Sequence, residues 1–85
     1  MKPKVVVVMP AYNAARTIEG VAAALPRDVI NDVILVDDAS CDDTVVRAQH
    51  AGFQVIVHHR NFGYGMNQKT CYRTALMQYS RKRVT

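Results

Sequence analysis

Residues 33–36, Val-Ile-Leu-Val, are apolar without a break and mostly β-branched, and the run stops on Asp37 and Asp38. A segment that is apolar at every position is buried on both faces, as a parallel sheet covered by helices requires. Residues 4–9, Lys-Val-Val-Val-Val-Met, predict a first strand of the same kind, ended by Pro10 because proline cannot continue a ladder. Residues 53–58, Phe-Gln-Val-Ile-Val-His, predict a third. Between the strands the apolar period lengthens. Ile18, Val21, Ala22 and Leu25 fall at i, i+3, i+4 and i+7, which predicts a helix capped by Asn13 and closed by Pro26 and Asp28. Ser40 and Asp43 have the Ser-x-x-Asp spacing of an acidic capping box. They predict a second helix over about 42–51, modestly amphipathic through Val45, Val46 and Ala48 and stopped by Gly52. A loop over 60–65 carries Gly63 and Gly65, and a third helix follows over about 66–79 with Cys71, Tyr72, Ala75, Leu76 and Tyr79 along one side.

The order strand, helix, strand, helix, strand, helix predicts an α/β fold with a three-layer α/β/α arrangement and a three-stranded parallel sheet of strand order 3-2-1. No internal repeat, low-complexity tract or linker interrupts it, so residues 1–85 are expected to form one unit, a single partial domain. In open α/β sheets, ligands bind at the carboxyl ends of the strands. Here those ends are Pro10 to Asn13, Asp37 with Asp38, and His58 to Asn61.

Composition narrows the function classes. With 49% apolar residues the chain is globular rather than disordered, although a chain this short hides only about 60% of its unfolded surface and an independent core is marginal. The formal net charge of +4 suits an anionic ligand. Much of the excess sits at the ends, on Lys2, Lys4, Arg81, Lys82 and Arg83, where solvated termini explain it, and no aromatic residues interleave with a basic face as nucleic-acid binding needs. Two cysteines, Cys41 and Cys71, make no disulfide framework, and no signal peptide precedes them, so both are expected to be reduced thiols in a cytoplasmic protein. The longest apolar run, residues 5–9, is far below the roughly 18 residues of a membrane span.

The strand ends carry the chemistry needed to hold a nucleoside. Tyr12 can stack on a base, an aspartate can accept a base N–H or ribose hydroxyls, and loop or helix N–H groups can meet phosphate. Strand-end aspartates also serve as turn and cap formers, the bland alternative. There is no Walker sequence, and residues 63–68 hold two of the three glycines of a dinucleotide turn, after the wrong strand. Neither the Asp37–Asp38 nor the His58–His59 pair suits a metal, since adjacent strand residues point to opposite faces. One histidine should face the core and the other solvent or ligand. Lys69 follows the glycine loop and is either a ligand contact or a solvated helix lysine.

The segments 5–13 (Val-Val-Val-Val-Met-Pro-Ala-Tyr-Asn), 36–44 (Val-Asp-Asp-Ala-Ser-Cys-Asp-Asp-Thr) and 61–65 (Asn-Phe-Gly-Tyr-Gly), in this order and spacing, closely resemble the start of the family 2 glycosyltransferases of GT-A fold, a group that includes the polyprenyl-phosphate sugar transferases of dolichol-phosphate mannose synthase type. The resemblance covers the chain through roughly Tyr79. It implies the N-terminal, nucleotide-binding half of a Rossmann-like domain that transfers a sugar from an NDP-sugar, UDP- or GDP-linked, to an acceptor for which polyprenyl phosphate is one candidate. It further implies that Pro10, Ala11 and Tyr12 line the base pocket, that Asp38 bonds the base with Asp37 in support, and that Asn61, Gly63, Gly65 and Lys69 pass close to the nucleotide. Two departures stand out. The chain has Ala14 where many relatives carry Glu, and it contains no Asp-x-Asp motif. The full-length enzyme would use Mg²⁺ or Mn²⁺ and lie in the cytoplasm or at the membrane surface; these 85 residues, lacking the metal carboxylates and the catalytic base, are expected to bind no metal and to be inactive alone. The alternative is a non-catalytic module that binds a partner or self-associates through its unpaired sheet edges.

Overall fold

The computed structural model describes the backbone of residues 4–84 and the side chains of residues 4–78. Lys2, three terminal cations (Arg81, Lys82 and Arg83) and the Tyr79 ring, all named above, lie outside the described residues or side chains. The elements alternate as the sequence predicts: β1 (Val6–Ala11), α1 (Ala15–Ala24), β2 (Asp32–Asp37), α2 (Thr44–His50), β3 (Gln54–Val57) and α3 (Tyr64–Val84). The three strands are parallel, in the order β1-β2-β3, which is 3-2-1 read from the other edge.

Register explains how one apolar run serves two layers. Val7 pairs with Val33 and Met9 with Leu35, while Val8 pairs with Ile34 and Pro10 with Val36. The odd-numbered set joins Ile18 of α1, Ala48 of α2 and Phe53 in the core cluster; α3 packs against β1 and β2, beside Val6, Val8 and Pro10 of the even-numbered set. Leu35 and Val36 are wholly buried, one on each face, and each such side chain contributes about 1.5–3 kcal/mol of transfer free energy. The same alternation sends Asp37 toward α2 and leaves Asp38 on the side of α3.

Four local expectations are corrected. Pro10 does not end its strand, because the Asp38 N–H donates to the Ala11 carbonyl at 2.9 Å. Ala11 therefore faces β2, the ring nitrogen of Pro10 faces the open edge, and no ladder bond is lost. Asn13 does not cap α1, and the Ser40–Asp43 capping box does not form: the residues before the two helices, Ala14 and Asp43, make no side-chain cap bond. The caps are exchanged between loops instead. Thr44 Oγ1 accepts the Ala14 N–H at 2.8 Å, and Asp42 accepts the Ala15 N–H at 3.2 Å and the Thr44 N–H at 3.0 Å.

The fourth correction concerns α3. Cys71 is buried, but Tyr72 is 69% and Leu76 51% exposed, and Ala75 is exposed as well. The inward face is Asn67 and Cys71, with Thr74 half-buried. A three-stranded sheet is too narrow to cover the whole apolar side of this helix, so Tyr72 and Ala75 flank a groove of about 650 Å³ along the unpaired edge of β1.

Candidate functional site

The site is built from two loops stitched together behind β1 and β2. After β2, Ala39 takes a left-handed conformation, φ 61°, which folds Ser40 back so that its N–H and hydroxyl both donate to the Asp37 carboxylate, at 2.8 and 2.5 Å. Ser40 Oγ in turn accepts the Asn13 N–H at 2.8 Å, and Asn13 Oδ1 accepts the Cys41 N–H at 2.8 Å. Asn13 has φ 50°, a region in which asparagine is tolerated better than most residues. These bonds fix the β1–α1 loop, and with it Tyr12, relative to the end of β2. The Thr44 hydroxyl holds the Asp42 carboxyl below its ordinary value, against a smaller opposing effect of burial and with help from the Thr44 and Ala15 N–H groups.

On the other face Asp38, 2% exposed, gathers the β3–α3 loop. Its Oδ1 accepts from His58 Nδ1 at 2.8 Å and from the Phe62 N–H at 2.9 Å, and its Oδ2 accepts from the Gly63 N–H at 2.8 Å. Burial pushes this carboxyl up, but the bonds from Phe62, His58 and Gly63 outweigh it and hold the group below its usual range. The His58 ring is gripped at both ends, since Nε2 lies 2.9 Å from Thr70 Oγ1. Phe62 packs edge-on against His58 and His59, with ring centroids 5.2 and 5.1 Å apart, and the Arg60 guanidinium lies 4.8 Å from its centroid.

Gly63 turns the chain into α3 with φ +93°. An added Cβ would meet no atom within 4 Å, so Gly63→Ala isolates the backbone cost. We expect it to lower stability by about 1–3 kcal/mol from the disfavoured dihedral alone, read by urea unfolding; a change within about 0.5 kcal/mol, the scale of ordinary surface substitutions, would remove the account.

Between these loops lies a cavity of about 420 Å³. Pro10, Ala11, Tyr12, Asp38, Asn61 and Gly63 all line it, and Tyr64 and Asn67 complete the wall. Tyr12 is half exposed. Three residues singled out from the sequence lie elsewhere. Asp37 is fully buried and bonded to Ser40; Gly65 and Lys69 line a separate depression with Gln68, Tyr72 and Arg73. Asn67 carried no sequence signal, being one polar residue in a helix of mixed pattern. It is 2% exposed and its Nδ2 donates to the Val36 carbonyl at 3.1 Å and, more weakly, the Ala11 carbonyl at 3.5 Å.

Among the described residues Asp38 is the one acid that lines this cavity, and N–H donors already bond both its oxygens. Among the described residues no group of three or more His, Cys, Asp or Glu could hold a metal ion. The described residues therefore do not fit a divalent cation. No helix among them is long and apolar enough to cross a membrane.

A profile of the family described as Glycosyl transferase family 2 matches residues 6–79. The chain belongs to that family. No curated protein matches the sequence. Among solved structures, this family 2 chain is similar to glucosyl-3-phosphoglycerate synthase from Mycobacterium tuberculosis in several complexes. The complex with Mn²⁺, UDP and glucosyl-3-phosphoglycerate has 33% identity and a TM-score of 0.57, covering 64% of this chain and 20% of that one. The UDP complex has 33% identity and a TM-score of 0.58, covering 64% and 21%. The complex with Mn²⁺, UDP-glucose and glycerol 3-phosphate gives 33% and 0.57, with the same coverage of 64% and 21%. The chain thus spans about a fifth of the length of these neighbours, and it has the GT-A arrangement of three parallel strands and three helices.

Proposed function

We propose that this chain supplies the nucleotide-binding part of a GT-A sugar transferase, holding the base of an NDP-sugar in the cavity between Tyr12 and Asp38. One observation carries the reading: in a family 2 chain, a half-exposed tyrosine and a buried aspartate, from the ends of different strands, line a single cavity. Tyr12 offers a stacking face, Asp38 an acceptor for a base N–H, and Asn61 and Gly63 bound the path toward the sugar side. The solved neighbours were crystallised with UDP, UDP-glucose and Mn²⁺, which supports a nucleotide donor here. Asp37 has a supporting role, bracing the turn that presents Asp38, and Gly65 with Lys69 forms a flank that a diphosphate could approach.

In the reaction of a complete enzyme, an acceptor hydroxyl or phosphate displaces the nucleoside diphosphate at the anomeric carbon. A divalent cation would neutralise the leaving group. No cluster of acids, histidines or cysteines among the described residues suits such a cation, and we expect no transfer by these 85 residues.

Tyr12→Ala tests the pocket directly. Base stacking on an aromatic ring is worth about 1–3 kcal/mol, so affinity for the preferred nucleoside diphosphate should fall roughly 5- to 150-fold while the thermal midpoint stays put, because the ring is half exposed. Calorimetric titration reads the first and a melt the second. Unchanged affinity would place the base somewhere else. The groove on the open edge of β1 supports a second reading, pairing with another copy through that edge; a strict monomer by sedimentation at high concentration counts against it.

A further inference from the structure

We infer that His58 is a positioning residue for base recognition: by occupying Oδ1 of Asp38 it leaves that carboxylate one free acceptor position, which favours a uracil-class base over guanine. The inference rests on the nucleotide-sugar reading above and chooses between the two donor classes, UDP- and GDP-linked, that the sequence leaves open.

A carboxylate has two oxygens with two lone-pair positions each. On Asp38, His58 Nδ1 and the Phe62 N–H fill both positions of Oδ1, and the Gly63 N–H fills one of Oδ2. One position is left. Since a carboxylate at neutral pH only accepts, Nδ1 carries the proton of this contact. The ring cannot swing away, because Thr70 holds Nε2 from α3 and Phe62 packs against the ring's edge. The His58 backbone is also tied, its N–H donating to the Asp37 carbonyl at 2.8 Å. Guanine presents two adjacent donors, the ring N1–H and the exocyclic amino group, which match both oxygens of a free carboxylate as a guanidinium does. Against Asp38 one of the two would find its acceptor taken. Uracil presents a single ring N–H between two carbonyls, and one vacant lone pair satisfies it. Leaving a donor unpaired against a buried carboxylate weakens binding by about tenfold or more.

The test is titration of the 85-residue chain and three variants with UDP and with GDP. Wild type should bind UDP about tenfold or more tightly than GDP. His58→Ala and His58→Phe, which lack the Nδ1 donor, should narrow that ratio about fivefold by freeing Oδ1. His58→Asn, whose amide nitrogen can stand where Nδ1 does, should keep it. A missing or reversed wild-type preference overturns the inference even if the donorless variants fail to fold, and His58→Asn then carries the positive arm. GDP binding as tightly as UDP to wild type overturns the inference and leaves the pocket reading intact. Loss of both nucleotides in parallel in His58→Phe, with the ratio unchanged, overturns it too, by making His58 a prop for the loop and nothing more. Binding of neither nucleotide to wild type removes the inference and the pocket reading together.

Discussion

Replacing Asp38 with alanine should lower the unfolding free energy by about 3–5 kcal/mol at pH 7, against a total of roughly 4–13 kcal/mol for a domain of this size, and should abolish nucleotide binding. The carboxylate is the shared acceptor of His58, Phe62 and Gly63, and its removal strands three donors in a part-buried site. The pH dependence follows from its depressed folded-state pKa. Such a group stabilises fully above its unfolded value of about 3.9, and its contribution disappears as pH falls through the lower folded value. The gap between wild type and Asp38→Ala should therefore be flat from neutral pH to about pH 5 and should shrink below about pH 4. Denaturant unfolding at pH 7 and pH 3 reads both. A gap under 1 kcal/mol at pH 7, or one that does not shrink in acid, would show that the carboxylate does not organise the loop.

Asp38 also marks where sequence reasoning reached and where it stopped. The strands are legible because β-branched runs such as residues 33–36 have few ways to be buried other than in a covered parallel sheet, and the acids that end them follow from the same logic. Cap assignments failed for a physical reason. Capping rules are local, matching a side chain to N–H groups two or three residues on. Here Asp42 and Thr44 serve the start of α1 as well as α2, which only the folded arrangement of two loops can show. Pro10 misled because an open edge makes its missing N–H harmless. The face of α3 misled because apolar pattern states what would prefer burial, whereas sheet width decides what is buried; Tyr72 and Leu76 remain outside for lack of a strand beneath them. In the cavity, Tyr12 and Asp38 stand out in sequence as an aromatic and an acid at strand ends. Tyr64 and Asn67 do not, because a helix's first turns reach the strand ends only once β3 and its loop have set the helix in place.

Asn67 gives the sharpest test of that hidden layer. Asn67→Asp exchanges one amide nitrogen for oxygen and keeps the shape, yet it should cost about 3–5 kcal/mol at pH 7, the scale of an uncompensated buried charge. The amide nitrogen now donates toward the Val36 and Ala11 carbonyls; a carboxylate there would set an oxygen against those two carbonyls, with only the weak Cys71 S–H as a donor to its other oxygen. Its pKa would rise in the folded state, so the penalty is absent below the unfolded value of about 3.9 and grows as pH rises toward the folded value. In acid the protonated carboxyl can again donate to Val36. The gap from wild type should accordingly close toward pH 3, opposite in origin to the closure at Asp38, whereas Asn67→Ala should show a smaller gap of about 1–3 kcal/mol that ignores pH. If Asn67→Asp were as stable as wild type at neutral pH, the amide could not be what ties α3 to the ends of β1 and β2. Because those ends carry Tyr12 and Asp38, the same substitution should weaken nucleotide binding even where enough folded protein remains to measure it.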